Sequence, residues 1–168
     1  MPRKFPYALT AAMLALALLA PAAVRADGDV TVKLAAQRVS VTGGKETLSP
    51  ATQARPGDLV EYRATYTNTG AQPARQVMAT LPVPTGMEFV GRTAVPAKLE
   101  ASVDGRTYAP VPLTRRVKLV DGREVVRTVP TSAYRWLRWP LGTLGSNSAR
   151  TVSARMRVQP VPVAANTR

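Results

Sequence analysis

The segment from Arg55 to Gly91 contains the pattern that most restricts what this chain can fold into. From Leu59 to Thr67 two kinds of residue alternate, and one side of the extended chain carries Val60, Tyr62, Ala64 and Tyr66. A period of two places these four residues on one face of a β-strand and the residues between them on the other. The sequence therefore predicts a strand that packs against a core on one face and meets water on the other.

Turn residues stand on both sides of this strand. Arg55-Pro56-Gly57-Asp58 precedes it and combines the fixed φ of proline with the permissive backbone of glycine. Asn68-Thr69-Gly70 follows it and leads to a second predicted strand, from Ala74 to Leu81, which Pro82 ends. We expect the two strands to pair in antiparallel fashion. The alternative is that the chain changes sheets between them.

Short strands separated by turns are predicted along the rest of the chain. The 15 prolines and 11 glycines interrupt it too often for a long amphipathic helix beyond the N-terminal segment. The further strands are one strand or two within 30–41, hairpins around Asp104-Gly105 and Asp121-Gly122, the aromatic stretch 134–139 and a closing strand at 152–158. This spacing predicts an all-β fold, an Ig-like antiparallel β-sandwich of about seven to nine short strands.

The first 26 residues have the features of a cleaved signal peptide. Arg3 and Lys4 form a short basic start, an apolar run extends from Ala8 to Ala20, and Val24-Arg25-Ala26 fits the small-residue rule for cleavage. The alternative is a membrane anchor, but a span needs ~20 apolar residues and Pro21 ends the run too early. We expect an exported protein, either periplasmic or secreted to the cell surface, that is not integral to the membrane after cleavage.

Cleavage would leave a single domain at 27–160 and a flexible tail at 161–168, because a chain of this size buries enough surface for one core. The mature chain keeps 20 of the 23 Lys and Arg residues against 10 Asp and Glu, a net charge of +10. No acidic residue follows Glu124, so the positive charge should concentrate on the C-terminal strands.

The chain contains no histidine and no cysteine, which restricts its chemistry. Ser-His-Asp and Cys-His nucleophiles, zinc sites built from these residues, and disulfides are all excluded. The remaining alternatives are carboxylate pairs from Glu61, Glu88, Glu100 and Asp104, or a calcium site from Asp27, Asp29 and Asp58. A Ser-Lys pair, Ser102 or Ser40 with Lys98 or Lys33, is also available, but no Ser-x-x-Lys motif places these residues together. Because these residues are scattered, we expect no catalytic residue, no metal and no cofactor, and predict that the protein is not an enzyme.

Residues 134–139, Tyr-Arg-Trp-Leu-Arg-Trp, combine aromatic and basic side chains in one predicted strand. Both faces carry apolar bulk, so at least one tryptophan is expected in the core. On a structural interpretation the arginine stems simply lie along the sheet. On a functional one, they join an outward tryptophan and bind an anion or a partner through charge and cation–π contact. This candidate surface consists of Arg135, Trp136 and Arg138, with Arg155 and Arg157 on a neighbouring strand.

The central segment also contains a longer signature, in which a Pro-Gly-Asp turn, a strand with tyrosine, an Asn-x-Gly turn and Leu-Pro follow one another. Its residues are Pro56, Gly57, Asp58, Tyr62, Asn68, Gly70, Leu81, Pro82 and Gly86. With them the chain resembles the repeat domain of bacterial and archaeal surface proteins that is numbered eleven among the domains of unknown function. Thr80 stands where that family often has an acidic residue, and Ser146-Asn147-Ser148 replaces its Pro-Gly turn. The resemblance implies an Ig-like envelope domain, here in a single copy.

Two functional hypotheses follow. The first is a non-enzymatic exported Ig-like module of the bacterial cell envelope, with a structural or protein-interaction role and an envelope protein as its partner. The alternative is a soluble basic protein that binds envelope polyanions, such as lipopolysaccharide, acidic polysaccharide or anionic lipid heads. Nucleic acid is not expected as a partner, since the chain contains no recognition module for it. Steep weakening by salt would favour the polyanion, because exposed charges are screened over ~10 Å at about 0.1 M salt.

Overall fold

The computed structural model describes residues 30–160, which form an all-β sandwich. Its strands are β1 (Val30–Thr42), β2 (Lys45–Pro50), β3 (Leu59–Asn68), β4 (Ala74–Pro82), β5 (Met87–Phe89), β6 (Glu100–Ser102), β7 (Ala109–Pro110), β8 (Thr114–Lys118), β9 (Glu124–Thr128), β10 (Trp136–Leu144) and β11 (Ala149–Val158). A 3-10 turn at Thr131–Ala133 is the only helical element of this range, and no helix within it is long and apolar enough to cross a membrane. The expected signal peptide and tail lie outside the described residues.

Two antiparallel sheets form the sandwich. The first has the strand order β2-β1-β3-β11-β5 and the second the order β4-β10-β6-β7. β8 and β9 pair with each other and belong to neither sheet; we call residues 114–128 the ribbon. The all-β sandwich that the sequence predicts is confirmed. The two sheets contain nine strands, as expected, and the ribbon adds two.

The alternation of residues predicts the inward faces correctly. Val60, Ala64 and Tyr66 of β3 are buried, and so are the inward residues Val152, Ala154 and Met156 of β11. Trp139 of β10 is buried too, which confirms the expectation of a core tryptophan, and its indole Nε1 donates to the carbonyl of Pro96 at 2.8 Å. Removal of this apolar surface from water stabilises the sandwich by about 25 cal/mol per Å².

β3 and β4 do not pair. The chain changes sheets between them, so the expected antiparallel pair is wrong and its alternative is correct. Asn68, fully buried at the end of β3, organises the crossing. Its Nδ2 donates to the carbonyls of Leu144 and Gly145 at 3.0 and 3.1 Å, and also to that of Gln72 at 2.8 Å. Its Oδ1 accepts from the amide of Gly70 at 3.0 Å. Asn68 thereby fixes the turn after β3 to the connection between β10 and β11.

The Asp104-Gly105 turn is also wider than predicted. β6 ends at Ser102 and β7 begins at Ala109, so the connection is a longer loop and not a two-residue hairpin turn. Asp104 Oδ1 accepts from the amides of Arg106 and Thr107 at 2.8 and 2.9 Å. These bonds fold the backbone around the carboxylate and delay the return of the chain.

β1 is one continuous strand that pairs with both β2 and β3. Its core-facing residues Val32 and Leu34 lie opposite Tyr66 and Ala64 in the register of the first sheet, yet each is 55% exposed. The reason is that the second sheet ends at β4, which packs against β3 and leaves β1 uncovered.

Candidate anion-binding surface

The five residues of the predicted surface lie on opposite sides of the sandwich. Arg135, Trp136 and Arg138 belong to β10 or directly precede it in the second sheet, whereas Arg155 and Arg157 belong to β11 in the first. Trp136 and Arg138 on β10, and Arg155 and Arg157 on β11, alternate with core residues and therefore point outward. Arg135 precedes β10 and is exposed. The expectation that the two strands are neighbours is wrong, because the chain crosses between the sheets at 145–148.

Arg155 is fully engaged by carboxylates on the outer face of the first sheet. Its Nη1 and Nη2 donate to the two carboxylate oxygens of Glu46, both at 2.8 Å, and its Nε donates to Glu61 at 3.2 Å. The hydrogen bond from Arg155 lowers the pKa of Glu46, and the same contact raises the pKa of Arg155. Glu61 is only 7% exposed and also accepts from Arg63 at 2.7 Å. The charge of Arg155 is thus compensated within the chain.

Arg138 is compensated in a similar way on the other side of the sandwich. Its Nε and Nη2 donate to the Glu100 carboxylate at 2.9 and 2.6 Å. Its guanidinium carbon lies 3.8 Å from the centroid of the Tyr108 ring. The cation–π contact of this region is therefore made with Tyr108, within the chain.

The other three predicted residues contact neighbouring loops. Arg135 donates to the carbonyl of Ser132 at 2.8 Å, and Arg157 donates to that of Gly57 at 3.1 Å. Trp136 faces outward, and its ring lies over Gly105. Neither Arg135 nor Arg157 pairs with a carboxylate within residues 30–160, so each can meet a ligand from its own side of the sandwich.

The ribbon carries a denser group of cations. It contains five basic and two acidic residues. Asp121 pairs with Arg123 at 2.7 Å, and the pKa of Asp121 is lowered by the backbone amide and the guanidinium of Arg123. The other four cations form no ion pair with a described residue; they are Arg115, Arg116, Lys118 and Arg127.

Arg115 and Arg127 lie directly opposite each other across the ribbon. In such a pair the Cβ atoms are about 5 Å apart, and like charges at this distance destabilise the strands. Both side chains are exposed, and the ribbon is anchored only where it leaves the core, at Leu113 and Val129. An anion bound between the two guanidinium groups would relieve their repulsion.

The Asp121-Gly122 turn predicts this hairpin but indicates no role for it. The signal that marks it is the charge on both arms, three basic residues within Arg115–Lys118 and two within Arg123–Arg127. A charge count over each predicted hairpin, in place of one over the C-terminal half, would have found the ribbon.

The carboxylates considered for catalysis are all occupied by structural contacts. Glu88 accepts from Thr131 at 2.7 Å and from Gln159 at 3.0 Å, in addition to the contacts of Glu61 and Glu100 given above. The backbone amides of Thr107 and Arg106, with the Ser102 hydroxyl, lower the pKa of Asp104 to about 2. Among residues 30–160 no three acidic side chains come together as a metal site would require. Of the proposed calcium ligands, Asp27 and Asp29 lie outside this range.

The signature residues of the central segment have structural roles. Asp58 accepts from the amide of Arg55 at 2.8 Å, and Gly57 and Gly86 adopt φ of 90° and 80°, which favours glycine. Such turn roles are independent of any particular family. No protein-family model, no curated protein and no solved structure matches this chain, so its resemblance to the numbered repeat domain stays a prediction.

Proposed function

We propose that the chain is an exported, non-enzymatic β-sandwich module of the bacterial cell envelope that binds an anionic envelope component through its ribbon. The observation that carries this proposal is the opposed pair Arg115 and Arg127, which has no carboxylate partner within residues 30–160. Arg138 and Arg155 are neutralised by carboxylates, whereas the ribbon keeps its charge free for a ligand.

The chemistry of the ribbon favours a ligand with repeated anionic groups. Planar guanidinium groups donate two parallel hydrogen bonds to a carboxylate or a phosphate. Arg115 and Arg127 form one of only five residue pairs of the ribbon, so two guanidinium groups on one face can bind neighbouring anions of one ligand. Lipopolysaccharide, acidic polysaccharide and anionic lipid heads all present such groups.

Two double variants with the same loss of charge test the proposal. R115Q/R127Q removes the opposed pair of the ribbon, and R135Q/R157Q removes two cations from the sandwich faces. Co-sedimentation with phosphatidylglycerol vesicles and with lipopolysaccharide is measured from ~0.05 to ~0.5 M NaCl. We expect the ribbon variant to lose at least ~10-fold in affinity for one of these ligands, and the control to lose much less. An equal loss of affinity in both variants would contradict the proposal.

A second candidate is a protein partner that adds a β-strand to the sandwich, and the exposure of Val32 and Leu34 favours it. A strand added to the free edge of β4 would lie opposite β1 and cover both side chains. Such a partner would present alternating apolar residues toward β1 and polar residues toward water.

The two candidates differ in their response to salt. A pull-down of residues 27–168 from envelope extract, washed at low and then high salt, distinguishes them. A partner protein bound by strand addition should survive the high-salt wash and should be lost from V32T/L34T but not from R115Q/R127Q. An anionic ligand should show the opposite pattern. If every variant retains the same material, neither surface is responsible.

A further inference from the structure

A cavity of about 520 Å³ opens at the side of the sandwich where β5 forms the edge of the first sheet. Its volume lies within the ~300–1,000 Å³ typical of pockets that bind small molecules. Phe89 and Tyr134, each 1% exposed, form part of its wall and stack with ring centroids 6.2 Å apart. Leu99, Val111 and Val129 extend this apolar wall toward the base of the ribbon.

Among residues 30–160, Arg92 is the only charged residue that lines the cavity. It is exposed and forms no ion pair with a described residue. Its φ is 64°, a left-handed conformation that residues with a side chain rarely adopt and that is over-represented at ligand sites. The other polar side chains of the lining are Thr128, Thr131 and Tyr134. The Thr131 hydroxyl already donates to Glu88 at 2.7 Å, and the Tyr134 hydroxyl accepts from the amide of Leu113 at 2.8 Å.

We propose that this cavity is a binding site for a small amphipathic anion, whose aliphatic body packs on the accessible apolar residues Val111, Pro112 and Val129 and whose carboxylate pairs with Arg92. The apolar wall supplies the affinity for the body, since burial of each CH₂ group is favourable. Because Arg92 is positively charged, the head group of the ligand should be negatively charged. This inference does not rest on the function proposed for the ribbon and would hold if that function failed.

Calorimetric titration with three ligands of equal chain length, decanoate, decanol and decylammonium, tests the proposal. Decanoate should bind saturably, decanol about five- to tenfold more weakly, and decylammonium more weakly still, because only decanoate pairs with Arg92. R92Q should reduce the affinity for decanoate to that for decanol and leave the affinity for decanol unchanged. R106Q, which removes an exposed arginine that does not line the cavity, is the matched control and should behave like the wild type.

A97W tests the cavity itself, because Ala97 lines it and is exposed, so that a large side chain there can block access without entering the core. Both decanoate and decanol should lose binding to this variant. NMR shifts of the wild-type amides on adding decanoate give a readout that needs no variant, and the changes should fall within 89–99, 111–113 and 128–134. The proposal is overturned if the wild type does not bind decanoate saturably, if R92Q binds it as the wild type does, or if the shifts lie elsewhere.

Discussion

The hydroxyl of Tyr66 on β3 donates to the carbonyl of Thr80 on β4 at 3.1 Å and accepts from the amide of the same residue at 2.9 Å. One side chain of the first sheet thus satisfies both backbone groups of a residue in the edge strand of the second. This contact joins the two sheets on the side where the second sheet ends at β4 and leaves β1 uncovered. It also protects part of the β4 edge from pairing with another chain, which confines an added strand to the half of β4 that begins at Ala74.

Tyr66→Phe should therefore destabilise the sandwich. The phenyl ring keeps the packing, but the amide and carbonyl of Thr80 lose their partner, which costs about 1–3 kcal/mol of the free energy of unfolding. Urea denaturation measures the change. Tyr62→Phe is the matched control, because the Tyr62 hydroxyl contacts only the sulfur of Met87 at 3.4 Å, a weak acceptor. An equal loss in both variants would contradict the role assigned to Tyr66.

Asn68→Ala should be more damaging, because the carbonyls of Gln72 and Leu144 and the amide of Gly70 lose a fully buried partner, while the carbonyl of Gly145 keeps its bonds from Ser148. We expect a loss of about 3 kcal/mol or more in the free energy of unfolding. Ser146→Ala removes two exposed hydrogen bonds in the same region, one to the carbonyl of Gly70 and one from Nδ2 of Asn147, and should cost less than about 1 kcal/mol. Thermal and urea unfolding of both variants measure the difference, and a mild effect of Asn68→Ala would show that the crossing is held by other contacts.

Asp104 makes stability depend on pH in the acidic range. Its pKa is lowered to about 2 in the folded protein from an ordinary value of 3.8, because two backbone amides and the Ser102 hydroxyl donate to the carboxylate. A lowered pKa means that the carboxylate stabilises the fold above about pH 4 and that this contribution is lost as the pH falls through about 2. Asp104→Asn should lower the melting temperature at neutral pH, and its difference from the wild type should shrink toward about pH 2. A difference that stays constant with pH would contradict this assignment.

Gly105→Ala should destabilise the loop after β6 for two reasons. Gly105 adopts a φ of 75°, and a Cβ there would lie 2.8 Å from Nε1 of Trp136. Gly122→Ala is the matched control, because its φ is 85° and a Cβ would meet open space. Gly122→Ala should lower the free energy of unfolding by about 1 kcal/mol. Gly105→Ala should lower it further, because the ring of Trp136 must also move. The double variant G105A/W136A should recover that difference in chemical denaturation, whereas no recovery would mean that the ring makes room freely.

Replacement of residues 114–128 by Asn-Gly should leave the sandwich folded. Leu113 and Val129 are already joined by a hydrogen bond of 2.8 Å from the Val129 amide to the Leu113 carbonyl, which is the bond that a two-residue turn needs to close. We expect the melting temperature to change by a few degrees at most, about 1 kcal/mol or less, and the binding of anionic vesicles to be lost. Circular dichroism and vesicle sedimentation check both parts. Loss of the cooperative transition would show that the ribbon is needed for folding.

Which residues of β3 and β11 face the core can be predicted from the order of residues along each strand. The alternation follows from the geometry of an extended chain, in which neighbouring side chains point to opposite faces, whereas for 134–139 it predicts a core tryptophan without choosing between Trp136 and Trp139. The Asp-Gly turn of the ribbon is likewise a local property. These features depend on residues close together in the chain, so a single sequence suffices to predict them.

Which strands share a sheet, and therefore which cations share a surface, depends on contacts that exist only in the folded chain. β10 and β11 are consecutive in the chain, yet Arg138 and Arg155 face opposite sides of the sandwich and find carboxylates there. The physical reason is that sheet membership rests on contacts between distant residues, such as those of Asn68 with Leu144 and of Tyr66 with Thr80. A period of two contains no information about contacts between residues that are distant in the sequence. The unpaired cations of the ribbon and the cavity beside Arg92 could therefore be identified only from the arrangement of the two sheets.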